Sequence, residues 1–299
     1  MYNSFYEYEN ISRNIYDGVR EYCKIEGVDE GYFRKTLRKN KLGGKPAQKS
    51  IKDGSFIKKL GQNRTLFGVA MFFLVFLAQI ILGKVGSIFA KVIPYERIDP
   101  YRIFAGISIH HAVQMLIAII IAIILSKWLK IDFYFKLGDI RKGMKYLAIF
   151  TVTFVVISVA VHLFMRAYDC LPVYDFPLNR RNILGTLGFQ LFLSGPSEEI
   201  LFRSLPITLF VFAFAKSIPI KGNITLEVIL ASLLFSIAHI NWSLHPFVFE
   251  VNWFRLLYAF VLGTIQGIVF QKSRSILYPS LMHSVSNVLM VGVGYLFVA

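Results

Sequence analysis

Hydrophobic residues in this chain come in long unbroken runs, and a run of about twenty has one common destiny, a helix that crosses a membrane. Candidate runs lie near residues 65–83, 106–126, 144–164, 183–203, 225–243, 254–271 and 276–297. In lipid, only helices and closed barrels satisfy every backbone polar group, and these runs are too continuous for the alternating pattern of a barrel strand. The composition agrees: 55% of the residues are hydrophobic, 28 are Phe, and the mean hydropathy of +0.55 excludes an ordinary soluble domain. The expected fold is therefore all-α, a polytopic transmembrane helical bundle over residues 65–299, with about 7–8 spans. The eighth stretch, 206–218, sits between Pro206 and Pro219 and is too short to span alone. It reads either as a partial crossing or as a continuation of the fourth helix.

Charge divides the chain into two domains. The net charge of +15 is concentrated: between Arg34 and Arg64 there are eleven Lys or Arg and only Asp53 as an acid. Because this segment runs straight into the first apolar stretch, it reads as a juxtamembrane tail facing anionic lipid, with no nucleic acid as partner. Residues 1–64 thus form a cytoplasmic tail. Its first thirty residues place Ile11, Ile15, Val19 and Tyr22 at helical spacing, which suits a short amphipathic helix or a loosely ordered tail. Residues 34–64, with Gly43, Gly44 and Pro46, read as a linker. The polar residues 1–15 carry no apolar core, so no cleavable signal peptide is expected and the first span directs insertion. Lysines and arginines at 127–145, with Lys272 and Arg274, mark further cytoplasmic connections by the positive-inside rule. On that topology the two cysteines, Cys23 and Cys170, face opposite compartments and form no disulfide.

Against this apolar background stand Glu198-Glu199-Ile200-Leu201-Phe202-Arg203. Carboxylates are expensive in hydrocarbon, so a membrane sequence that keeps them usually uses them. Glu199 and Arg203 are four apart and share a helix face, whereas Glu198 is rotated by about 100° and can point elsewhere. The natural division is that Arg203 neutralises Glu199 while Glu198 meets a pocket as the reactive carboxylate; the bland alternative is a buried ion network that only joins helices. Two later runs each bring a histidine: Phe235 and His239 are four apart, as are His283 and Asn287. A histidine can hold a water against a glutamate, donate to a developing oxyanion or bind metal, and an asparagine amide can donate to the same oxyanion. His110 and His111 open the second span, where an interfacial, solvated role is expected. Gly263 and Gly267 form a GxxxG suited to close packing within the bundle. No HExxH, CxxC or Gly-x-Ser-x-Gly elbow occurs, so zincin and serine-elbow chemistry lack their motifs. Simple hydropathy leaves one tension, since it sets Glu198 and His283 towards the cytoplasmic side and His239 near the far end of its helix.

Glu-Glu-x-x-x-Arg, Phe-x-x-x-His and His-x-x-x-Asn, in that order on successive apolar segments, resemble the CPBP family of CAAX prenyl endopeptidases and bacteriocin-processing proteins, also called the Abi family of glutamate intramembrane proteases. The resemblance covers about Gly188 to the C-terminus. It implies that Glu198 and His239 activate a water for attack on a peptide carbonyl, that His283 and Asn287 stabilise the oxyanion, and that Glu199 and Arg203 support them. It implies no metal or other cofactor. The substrate it implies is a peptide or membrane-associated protein, CAAX-like or bacteriocin-type. The Lys, Ile, Phe and Tyr content and short connections suit a bacterial plasma membrane. Two other functions stay open at this level. One is a non-enzymatic immunity or partner protein that keeps the family fold. The other is a metal- or proton-coupled transporter using Glu198, His239 and His283 as intramembrane ligands.

Overall fold

A computed structural model describes residues 63–244 and 247–298. The tail expected over 1–64, with its amphipathic helix, its linker and Cys23, lies outside the described residues except for Asn63 and Arg64.

Asn63 caps the first helix, α1 (Arg64–Val92), its side chain accepting from the Leu66 N–H at 3.1 Å. Helix α2 (Ala105–Leu129) follows a loop in which Asp99 is fully buried. The Asp99 Oδ2 accepts from the N–H groups of Phe104 and Ala105 at 2.7 and 2.8 Å, satisfying donors that a helix start leaves free. Asp139 caps α3 (Ile140–Ala167) in the same way, accepting from the Lys142 N–H.

The fourth run becomes one interrupted helix. It comprises α4 (Arg180–Phe189), a π turn over Gln190–Ser194, α5 (Gly195–Glu199), a second π turn over Ile200–Ser204, and α6 (Leu205–Phe214). Each π turn lies just before a proline. Pro196 and Pro206 lack an N–H, and their rings would strike the carbonyls of Phe192 and Phe202 four residues back; widening the turn relieves that clash. The carbonyl of Leu201, within the second wide turn, accepts from the Gln79 side chain of α1 at 3.1 Å. The uncertain stretch 206–218 is thus a continuation of the fourth helix, ending where Ala215 adopts the left-handed conformation.

A small hairpin, β1 (Pro219–Lys221) with β2 (Ile224–Thr225), leads to α7 (Leu226–Ile237). At 12 residues, α7 is about 18 Å long, well short of a hydrocarbon core of about 30 Å. This corrects the span expected at 225–243. The chain instead turns into an antiparallel hairpin, β3 (Asn241–Leu244) and β4 (Phe247–Glu250), paired Asn241 to Glu250 and Leu244 to Phe247. Helices α8 (Trp253–Ser273) and α9 (Leu277–Val298) complete the chain.

The architecture is an all-α bundle. Helices α1, α2, α3, α8 and α9 are each long and apolar enough to cross a membrane, by length and composition. Large apolar side chains such as Phe73, Leu74, Val152, Val156 and Phe164 are exposed on the outer helices, as lipid contact requires. The core instead gathers around the interrupted helix, with Phe210, Ile207, Leu234, Val228 and Phe270 buried. Gly263 and Gly267 face inward: a Cβ on Gly263 would lie 3.2 Å from Arg203 Nη2, and one on Gly267 2.9 Å from Val228. The basic connections 130–139 and 274–276 meet one another, with the Asp139 N–H donating to the Ser273 carbonyl and the Ile276 N–H to that of Tyr134.

Candidate active site

The two wide turns isolate a five-residue helix that carries both glutamates. Its first residue, Gly195, makes this possible: a Cβ there would overlap Ser284 Oγ and stand 2.6 Å from the Ser280 carbonyl. Only glycine lets α5 approach the backbone of α9 this closely, and the approach brings Glu199 against His283.

Glu199 is fully buried. One carboxylate oxygen, Oε1, lies 2.8 Å from Arg203 Nη1 and accepts from His283 Nδ1 at 2.7 Å. Arg203, also buried, donates through Nη2 to Gln266 Oε1 at 2.7 Å and stacks its guanidinium 3.9 Å above the Phe235 ring. Four helical segments, α5 with its following turn, α7, α8 and α9, are therefore tied to one ion pair. A planar cation suits such a site, because it can meet carboxylate, amide and aromatic face together.

Glu198 points the other way, into a cavity of about 650 Å³. Phe76, Phe202, Leu234 and Phe235 form apolar wall; Gln79, His110, His111, Gln114 and His239 are polar lining, and Lys84, Trp242 and Arg255 stand at its edge. Lys84 Nζ lies 5.7 Å over the Trp242 ring of the β3–β4 hairpin. The lining comes from the later part of α1 and the first part of α2, so the cavity opens in the half of the bundle away from the start of α1.

The short α7 resolves the tension over depth. His239 falls two residues after a helix that stops part-way, so it lines the same cavity as Glu198 instead of reaching the far end of a full span. Its Nδ1 donates to the Phe235 carbonyl at 2.8 Å, which leaves Nε2 as the unshared ring nitrogen. His283 Nε2 stands 3.7 Å from Glu198 Oε2. Asn287 does not line the cavity; its amide donates to Ser194 Oγ at 2.9 Å, with a second N–H in reserve. The structure thus joins Glu198 and His239 through the cavity, His283 to both glutamates, and Asn287 to the turn just before them.

One residue departs from expectation. His111 is buried, not solvated: its Nδ1 is 2.6 Å from Ser197 Oγ and its Nε2 is 3.9 Å from Glu198 Oε1. Helix α2 begins at Ala105, so His111 lies nearly two turns inside it. His110, beside it, lies 3.2 Å through Nδ1 from Ser87 Oγ. The signal for both was the cluster His110-His111-x-x-Gln114 in an otherwise apolar run, which marks an inward polar face. Gln266, the partner of Arg203, had no motif to announce it. Among the described residues, no group of three or more His, Cys, Asp or Glu is arranged to hold a metal ion.

A polytopic helical bundle whose buried carboxylates are ringed by histidines defines a class: integral membrane proteins with a polar centre enclosed between helices. Residues 180–289 match the family described as Type II CAAX prenyl endopeptidase Rce1-like. The match spans the interrupted helix, α7, α8 and the part of α9 that bears His283 and Asn287, a little over a third of the chain, and it agrees with the resemblance to the CPBP family, a protease family. No curated protein and no solved structure matches the chain.

Proposed function

We propose that this protein is an active intramembrane endopeptidase that cleaves a peptide or membrane-associated protein with a water activated by Glu198 and His239. The observation that carries the reading is the division within the glutamate pair: Glu199 is buried and paired through Oε1 with Arg203 and His283, whereas Glu198 faces an accessible cavity shared with His239.

The chemistry follows from these positions. A water between Glu198 and His239 gives a proton to the Glu198 carboxylate while its oxygen bonds to the peptide carbonyl carbon. The carbonyl π pair moves to oxygen, forming a tetrahedral oxyanion. His283, protonated on Nε2, donates to that oxygen, and the Glu199 carboxylate opposite its Nδ1 balances the ring charge, as the third member of a catalytic triad does. Asn287, outside the cavity, steadies the turn just before the glutamates through Ser194 Oγ. Collapse of the intermediate breaks the C–N bond, and the departing amine takes the proton that Glu198 received. Water is consumed, an acid and an amine are formed, and the side chains return to their starting states.

The cavity's apolar wall suits the side chains of an extended segment entering from the bilayer, and the substrate class extends to CAAX-like C-termini. A bacterial plasma membrane, a cytoplasmic N-terminus and anionic lipid beside the basic tail complete the proposal. Incubation of purified protein with fluorogenic peptides, with and without a prenylated C-terminus, tests it. Cleavage by wild type and none by Glu198→Gln is expected. No cleavage by either protein, together with an unchanged cellular effect of Glu198→Gln, overturns it in favour of a non-enzymatic partner.

A further inference from the structure

Four histidines surround the glutamates, and the motifs account for only two of them. In each of the four, Nδ1 is engaged away from the cavity. His239 donates to the Phe235 carbonyl and His283 to Glu199. Ser87 Oγ spends its own proton on the Gly83 carbonyl at 3.0 Å, so it accepts from His110. Ser197 Oγ likewise donates to the Ser194 carbonyl at 3.2 Å, so it accepts from His111 Nδ1 at 2.6 Å. The network therefore assigns Nδ1–H to His111 and turns its Nε2 towards Glu198.

That orientation has a consequence for the carboxylate. Nε2 of His111 stands 3.9 Å from Oε1 of Glu198, and Nε2 of His283 stands 3.7 Å from Oε2. With Nδ1–H fixed, a neutral imidazole would present a lone pair to each carboxylate oxygen. Lone pair and carboxylate repel, so each contact is favourable only if one proton, or a water bringing one, lies between them. The two rings bracket Glu198 from opposite helices, α2 and α9. The ring of His111 is itself clamped by the edge of Phe189, 5.1 Å away, and by His110 at 5.2 Å. Ser197 is fully buried and adjacent to Glu198 in sequence, so the tether and the carboxylate ride on the same short helix.

We infer that His111, oriented by Ser197, is a positioning residue that shares a proton with Glu198 and holds its carboxylate facing the cavity. This rests on the proposed hydrolytic reading for its effect on rate, though not for the shared proton. The charged and titratable groups that face Glu198 are His110 and His111 from α2, His239 after α7, His283 from α9, Arg203 and Glu199 from its own helix, and Lys84 and Arg255 at the cavity edge.

The experiment uses the full chain in nanodiscs with two readouts. The first is the rate at which a hydrophobic carbodiimide modifies Glu198, located by peptide mass mapping; the reagent attacks only the protonated carboxyl. A hydrogen-bonding or charged partner within about 4–6 Å changes the neutral-to-charged ratio of a carboxyl about tenfold or more. His111→Phe is therefore expected to raise labelling about tenfold, and Ser197→Ala, which keeps the ring but frees it, to raise it less. The second readout is peptide cleavage. His111→Phe is expected to lower kcat about tenfold or more with KM little changed, and His111→Gln to recover part of that loss. Unchanged labelling in both His111→Phe and Ser197→Ala overturns the inference. If His111→Phe fails to fold, Ser197→Ala alone decides it. If wild type cleaves nothing, the hydrolytic reading fails while the labelling arm still decides whether His111 and Glu198 share a proton.

Discussion

Removing the charge of Arg203 is the perturbation that most directly tests how the site is held. The guanidinium and the Glu199 carboxylate are 1% and 0% exposed and 2.8 Å apart, so neither has water to fall back on. Among the described residues, Arg203→Met leaves the carboxylate with His283 alone as a partner and strands the Gln266 carbonyl. Breaking one partner of a buried pair costs about 3–5 kcal/mol, and the folded-to-unfolded ratio falls by about 10²–10⁴. Glu199→Gln, which leaves the arginine unpaired, should cost a similar amount. The double variant Glu199→Gln/Arg203→Met removes both charges, and what is left is an unsatisfied amide at Gln266, worth about 1–3 kcal/mol. It should therefore be more stable than either single variant while remaining impaired in cleavage, because an amide cannot balance charge on His283. Reversible unfolding in mixed micelles, followed by tryptophan fluorescence, measures the three values. A single Arg203→Met cost below about 1 kcal/mol, or a double variant no more stable than the singles, would refute the reasoning that this network is a buried, mutually dependent ion pair.

Other outcomes follow from the same geometry. Glu198→Gln should abolish cleavage yet cost less stability than Arg203→Met, since its nearest ring nitrogens are 3.7 and 3.9 Å away whereas Glu199 and Arg203 stand 2.8 Å apart; a loss as large as that of Arg203→Met would show Glu198 to be a structural group. Gly195→Ala should cost about 1–3 kcal/mol because the Ser280 carbonyl, 2.6 Å from the new Cβ, belongs to a backbone that cannot swing aside; thermal unfolding checks this, and a neutral result would mean α5 and α9 separate freely. Asp99→Ala should cost about 0.5–2 kcal/mol by freeing the N–H groups of Phe104 and Ala105; Asp99→Asn should recover part of it in the same assay. Cys170 is exposed between α3 and α4. In a Cys23→Ser background, a membrane-impermeant maleimide should label Cys170 only from the face opposite the N-terminus, and labelling from the N-terminal face would invert the orientation.

Much of the site was legible because its signals are local. Glu199 and Arg203 share a face by helical spacing alone, and an acid in a hydrocarbon-length run is conspicuous whatever surrounds it. His239 and His283 stood out for the same reason. His111 was misread because its depth depends on where α2 begins. That start is set by Asp99 through bonds to two backbone amides, not by any change in hydropathy. The depth of His239 was misread for the complementary reason. An apolar run of nineteen residues looks like a span, but the chain leaves α7 after twelve and pairs as a hairpin. Hydropathy cannot distinguish a strand from a helix end when both are apolar.

The sequence by itself determined that this chain is a membrane bundle, which residues are too polar for lipid, and which of them fall on common helix faces, since these depend on composition and on a fixed 100° rotation per residue. Only the tertiary structure decided which polar groups meet. Two prolines widen the turns around a five-residue helix, and a glycine lets that helix touch α9. A short α7 then stops level with the carboxylate, and His111 arrives from a helix more than eighty residues away in the chain. Such meetings are fixed by packing between distant segments, and no periodicity within a single segment encodes them.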